Sequence, residues 1–405
     1  MTIFLITFIF VSIPTFADWE KIISIPYYST PSTEPDWTGP AAAKMILESP
    51  IIMAEPSYVM KTQGELWTYI NSHSIASWDT YYPGVHTDPV AMRECLKEYD
   101  TRQPFTYGIF ATPTYDAIVS QKIVETIATY DVPPAVPIDG GLNWVAVQGV
   151  HTSDPPLLPG TYSIDWFLIN DPRDPVIGNN RFISYENWEN GSTSVFLHIQ
   201  TPSPFPDNWL KMAVCDPETP GPLKIKGIKA PPRREIVLTP GEARDAAVKG
   251  LKKYNLLDRP GFENALQRIK SGKPILVRRM SGRVRADYYI VPMVKRHFIF
   301  WKRLTGAILI DAYSGAILET SIAKKPICYP YLSRSLARSR NLLIKKIRKT
   351  EGLRNRELNV GMPTLTWKPG LSVNPYFPLW KTRASIKGVA QTRYLDFNGK
   401  VLNVK

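Results

Sequence analysis

Cysteine and histidine most readily supply nucleophiles, bases and metal ligands near neutral pH, and this chain of 405 residues uses them sparingly. Its three cysteines, Cys95, Cys215 and Cys328, are an odd number and form no CxxC pair. Neither a zinc site nor a disulfide framework follows, and at most one internal bridge can form. The five histidines, His73, His86, His151, His198 and His297, are equally dispersed. No metal or other cofactor is expected. Cys95 lies in MRECLKEY, a segment of helical character, where a buried structural thiol is expected before a displaced nucleophile. His151 follows a strand and is expected at its surface end. Asp171 and Asp174 share a turn without EF-hand spacing, so turn capping is their expected task. Asn190-Gly191-Ser192 fits either a glycosylation acceptor or a hairpin turn.

A more specific pattern lies in IPYYSTPSTEPDWTGPAAAKMIL, Ile25 to Leu47. This segment resembles the active-site entry of the C39-like branch of papain-fold cysteine peptidases. In that family an aromatic strand with a Gln leads to the nucleophilic Cys, then Gly-Pro and a helix. GGLNWVAVQGV resembles the strand that carries the family His, often written Gly-Gly-His-Trp. LINDP resembles the Asp-Pro pair that follows, and ISYENW (Ile183 to Trp188) the closing segment. The resemblance implies that Thr38 stands at the Cys position, Asn143 at the His position and Asp171 at the Asp position. The Gln position falls at Ser29 or Thr30.

In a centre of that type the imidazole takes and returns the thiol proton, the carboxylate orients the imidazole, and the Gln supports the oxyanion. Three of the four working side chains are changed here. A threonine hydroxyl needs a strong base, and an Asn amide accepts no proton at a useful pH. The resemblance therefore implies a catalytically silent domain whose groove holds a peptide or protein segment by main-chain hydrogen bonds. Two enzymatic alternatives stay open, a peptidase with Thr38 as nucleophile and one that uses Cys95. Thr38 also reads as a simple helix cap, together with Asp36.

Residues 1–17 read as a secretory signal, with an apolar run from Ile3 to Val11 and a Thr15-Phe16-Ala17 ending, although no Lys or Arg precedes the run. Residues 18–215 form the C39-like region, expected to be α+β: helices first, then antiparallel strands. Gly39-Pro40 opens a helix through Leu47, Asp88-Pro89 another through Tyr99, and apolar spacing gives a third over Thr114 to Tyr130. Strands are expected at Ala135–Ile138, Asn143–Val150, Ser163–Asn170 and Ser194–Ile199. Eight of the 11 tryptophans lie in this region and point to a large aromatic core.

Residues 216–235, rich in Pro and Gly, read as a linker. In 236–325, Thr239, Pro240 and Glu242 mark a helix start of the capping-box type. Strands follow at Pro274–Arg279, Asp287–Val294, Gly306–Asp311 and Ala316–Thr320. DYYIVPMV and DAYSGAILE resemble the PepSY-type domain, a small helix-and-sheet module. In 326–405 a basic helix over Tyr331 to Arg356 places Leu332, Leu336, Leu343 and Ile347 on one stripe, and TRYLDFNGKVLNVK reads as a terminal hairpin.

Charge divides the chain more sharply than composition does. The formal total is +13, but residues 18–215 hold 10 basic against 23 acidic side chains, 216–330 hold 23 against 10, and 331–405 hold 16 against 3. Such asymmetry speaks to association rather than fold. The basic half is expected either to dock on the acidic half or to meet an anionic cell-surface polymer, which makes surface attachment a further alternative. No zinc-finger or RNP-like signature is present, so nucleic acid is not an expected partner. The expected location is secreted or extracytoplasmic.

Overall fold

The computed structural model describes residues 18–31, 33–34, 36–75, 87–102, 107–112, 118–138, 141, 143–156, 162–190, 211–216, 236–279, 287–297, 301–329, 336–353, 357–367, 376–396 and 400–402. The expected signal, Ser194–Ile199, nearly all of the linker and the Asn398-Gly399 turn lie outside them.

Strand β1 (Trp19–Ile22) is followed by helices α1 (Thr38–Leu47), α2 (Pro50–Met53), α3 (Gln63–His73) and α4 (Pro89–Tyr99). Then come β2 (Gly108–Thr112), α5 (Ile118–Tyr130), β3 (Ala135–Ile138), β4 (Asn143–Thr152), β5 (Ile164–Asn170), β6 (Arg181–Ser184), α6 (Tyr185–Asn190) and β7 (Lys211–Cys215). The local chemistry is as expected at several starts. The Asp88 carboxylate accepts from the N–H groups of Val90 and Ala91 at 2.8 and 2.9 Å, and Pro89 takes the first helical position. α1 buries Ala41, Ala42, Ala43, Met45, Ile46 and Leu47, so it is apolar on almost every side and must lie inside. All ten positions of β4 are buried, which needs cover on both faces of the sheet and favours a near-continuous apolar run.

The second region begins with α7 (Pro240–Lys253), capped reciprocally by Thr239 and Glu242. A 3-10 turn (Leu256–Asp258), α8 (Ala265–Ser271), β8 (Ile275–Arg279), β9 (Tyr288–His297), β10 (Trp301–Asp311) and β11 (Ile317–Ile327) follow. The β10–β11 turn is held by Asp311, whose Oδ1 accepts from the N–H groups of Tyr313 and Ser314 at 3.0 and 2.7 Å. The last region contains α9 (Leu336–Glu351), β12 (Leu358–Val360), β13 (Thr364–Trp367), β14 (Leu379–Ile386), β15 (Val389–Leu395) and β16 (Val401–Leu402). Leu343 and Ile347 of the expected stripe are fully buried.

The molecule is mixed α and β, with helices on a large mixed sheet. Strands run in the order β16-β15-β14-β13-β8-β9-β10-β11-β6-β5-β4-β3-β7-β2, with β1 on β4 and β12 on β14. Two joints carry the sheet across the chain. β11 pairs with β6 antiparallel through Glu319 with Ile183 and Thr320 with Phe182, and β13 pairs with β8 in parallel through Thr366 and Arg278. Within 18–215 the described strand pairs are antiparallel, as expected there, and the parallel joint lies between the second and last regions, for which no strand direction was expected. Hydrogen bonds between strands far apart in the chain leave no trace in the periodicity of either one, so neither joint was foreseeable.

Candidate functional site

The chemistry implied for Thr38 starts at the first turn of α1. Trp37 is the N-cap of that helix, and no side chain caps it. The expected capping role of Asp36 or Thr38 is therefore corrected. Thr38 is the first helical residue, and its Oγ1 instead accepts the N–H of Trp144 at 3.1 Å. The hydroxyl is spent on a strand 106 residues away. Gly39 makes this close approach possible: a Cβ there would stand 2.1 Å from Thr87 Oγ1. The indole Nε1 of Trp144 donates to the Thr87 carbonyl at 2.8 Å, which ties the same three elements together.

Asn143 opens β4, directly before Trp144. Its Nδ2 donates to Asp171 Oδ1 at 2.9 Å. Asp171 Oδ1 also accepts the N–H of Arg173 at 3.1 Å, while Oδ2 is ion-paired with Arg181. The Thr30 N–H donates to the Pro172 carbonyl at 2.9 Å, so the half-buried segment at the Gln position runs beside the Asp-Pro turn. Thr38, Asn143 and Asp171 thus converge, and Thr30 joins them through its backbone. All three side chains are closed off from solvent, at 2%, 0% and 1% exposure.

Arg181, at the start of β6, links this cluster to the rest of the chain. Its Nη1 holds Asp171 and its Nη2 donates to Glu319 Oε2 at 2.7 Å. The Asn187 amide donates to the other Glu319 oxygen at 3.2 Å. The guanidinium carbon lies 5.7 Å from the ring centroid of Tyr376, in the last region. Burial works against the Arg181 charge, but Glu319 and Asp171 outweigh it and hold the group protonated above its ordinary range. Asp174 caps its own turn as expected, with Oδ1 accepting from Val176 and Ile177 at 2.9 and 3.0 Å. Burial, reinforced by the neighbouring Asp171 charge, pushes its carboxyl up to about 6. Gly178 closes the turn where a Cβ would meet the Asp171 carbonyl at 2.0 Å.

The cluster of Thr38, Asn143 and Asp171 contains neither an imidazole nor a thiol. An amide at position 143 orients against the carboxylate as an imidazole would, yet it accepts no proton. Asn143 Oδ1 is buried without a hydrogen-bond partner among the described residues. His151 lies on the same strand but eight residues on, roughly 26 Å along it, too far to serve. It is buried rather than exposed as expected, because β1 and β5 flank it. Its Nδ1 sits 2.9 Å from Asp165 Oδ2, and its ring stacks on Trp166 at 5.3 Å. Cys95 is sealed in the core, where burial, with Glu98, pushes its thiol up and away from thiolate character. Burial likewise pushes Cys215 up to about 12. All three cysteines are free, and no group of three or more candidate ligands for a metal occurs among the described residues.

No family model, curated protein or solved structure matches the chain. The residues that sequence reasoning passed over are Thr87, Arg181 and Glu319. Arg181 leaves a faint signal, a cation opening the apolar run RFIS. Glu319 leaves none, because its partner is 138 residues away.

Proposed function

We propose that this chain is a papain-type, C39-like peptidase homologue that does not cleave, and that it acts by binding a peptide or protein segment. One observation carries the reading. Asn143 engages Asp171 at 2.9 Å while Thr38 accepts the N–H of Trp144, so the group that would form the relay holds no imidazole and no thiol. Asp171 keeps the orienting role the resemblance implies, and Arg181 neutralises it. Neither Cys95 nor His151 stands where it could replace the missing groups. The PepSY-like reading of 236–325 and export of the chain belong to the same proposal. Sequencing the mature N-terminus tests export, which predicts a chain beginning at Asp18.

The decisive experiment incubates the purified protein with a peptide library and reads products and retained peptides by mass spectrometry. Retention without cleavage is expected. Cleavage lost in Thr38→Ala would sink the proposal. A restoration variant, Thr38→Cys with Asn143→His, tests the ancestry separately: iodoacetamide should label its new thiol faster than that of Thr38→Cys alone, because an imidazole beside the thiol favours the thiolate.

A further inference from the structure

A cavity of about 390 Å³ lies beside the relay cluster, where the first and second regions meet. Ile25, Leu168 and Phe182 wall it from one side, and Leu256, Phe262 and Ile322 from the other. Its wall is mostly apolar, with polar groups from Ser24, Tyr27, Gln148, Asn179, Asn180 and Arg259, and it draws on both regions. Its volume is that of a small-molecule site.

Three of these polar groups are already paired with the protein. Gln148 receives the Asn170 amide at 3.2 Å and gives its own to Asn180, and the Tyr27 hydroxyl is turned to the carbonyls of Asp171 and Asp174. Arg259 is different. It is the one charged residue among the described residues that line the cavity. Its Nη2 donates to Glu20 at 2.5 Å, and its guanidinium lies on the Trp166 ring at 4.5 Å from the centroid. Its Nε–H is buried without a hydrogen-bond partner among the described residues. A mostly apolar wall bordered by a single cation with an unpaired donor favours a ligand with one anionic oxygen head and an apolar body.

We infer that this cavity binds an apolar monocarboxylate, with the carboxylate on Arg259 and the hydrocarbon between Phe182 and Phe262. The head belongs either to a free acid or to the terminal carboxylate of an apolar peptide. This site does not depend on the reading of Thr38 and Asn143, which lie in a separate, closed cluster.

Isothermal calorimetry on the full chain tests it with four probes: octanoate, 1-octanol, an acetylated peptide ending in Leu-Phe, and the same peptide amidated. Saturable one-site binding of octanoate or of the free-carboxylate peptide is expected, and the one that binds identifies the source. Arg259→Gln should weaken that binding by about tenfold, the worth of a charged hydrogen bond, and leave 1-octanol unaffected. Arg259→Lys should recover part of the loss. No saturable binding of either carboxylate at millimolar concentration would refute the inference. So would equal binding by a folded Arg259→Gln protein, shown by an unchanged melting curve.

Discussion

Two buried arginines in this protein each sit between two carboxylates, and they do different work. Arg102 pairs with Asp100 two residues away and with Asp216 at 3.2 Å, and Tyr107 donates to Asp100 at 2.8 Å. Asp100, Arg102 and Tyr107 belong to the first region, and Asp216 follows it directly at the end of β7. Arg181 pairs with Asp171 and Glu319 and lies against Tyr376, so it touches all three regions at once. The chemistry is the same in both places: a desolvated guanidinium whose charge is tolerated only because it is paired. What differs is the distance in sequence over which the pairing is spent. Arg102 fixes a local corner, whereas Arg181 makes the Asp171 turn and the β6–β11 joint one structure.

The comparison also corrects an intuition about charge. An acidic front half and a basic back half suggest acids in front facing bases behind. At the buried joint the signs are reversed, with the base on β6 and the acid on β11. The expected polarity recurs in Glu20 and Arg259, at the surface, where solvent screens it.

Removing either arginine should give the largest effects, because each leaves two carboxylates buried beside each other. Arg102→Met and Arg181→Met should each cost about 3–5 kcal/mol in urea unfolding. Hydrogen exchange should separate them. Arg102→Met should raise exchange near 100–107 and in β7, and Arg181→Met in β6, β11 and the segment from Tyr376. Adding Glu319→Gln to Arg181→Met should recover part of the loss. If both single variants opened the same segments, the distinction between a local and a joining arginine would be wrong.

A smaller effect concerns Asp174, which borders the Arg181 group and has no counterpart around Arg102. Its folded carboxyl is raised to about 6 by burial first, from an ordinary value of 3.8. A raised acid binds its proton more tightly in the folded state. Its stabilisation is complete below pH 4 and is lost as pH rises through 6. Asp174→Asn keeps an oxygen for the Val176 and Ile177 N–H groups and removes the titration. The variant should be more stable than the parent by about 1–3 kcal/mol at pH 7.5, with the gap closing towards pH 4. A gap independent of pH would show that Asp174 does not titrate in this range.

Much of the fold was legible because its signals are local. Asp88-Pro89 and Thr239 with Glu242 each specify a helix start through neighbours within a few residues, and each formed as read. Strands β1, β2, β6, β7, β12, β13 and β14, and helices α2, α3, α6 and α8, were missed. β1 is four residues with alternate burial, too short to show a period, and α3 carries only Leu66 and Ile70 into the core. The residues of the candidate site were legible: Asn143 bonds Asp171, and Thr38 bonds the backbone N–H next to Asn143. The closure of the site was not, because it depends on Arg181, Glu319 and Thr87. Their roles arise from contacts between distant strands, which no spacing in the sequence encodes.

The smallest expected effect tests the charge argument directly. Glu20 is 37% exposed and its partner Arg259 16%, so their ion pair is worth no more than about 1 kcal/mol. Glu20→Gln should shift the urea midpoint slightly at low salt. That shift should vanish in about 0.5 M sodium chloride, where screening acts over a few ångströms. Arg181→Met should keep its full cost in the same salt, because its partners are buried beyond the reach of ions. Equal salt sensitivity in the two variants would mean that long-range attraction between the acidic and basic halves, rather than the buried joint, holds the first region to the second.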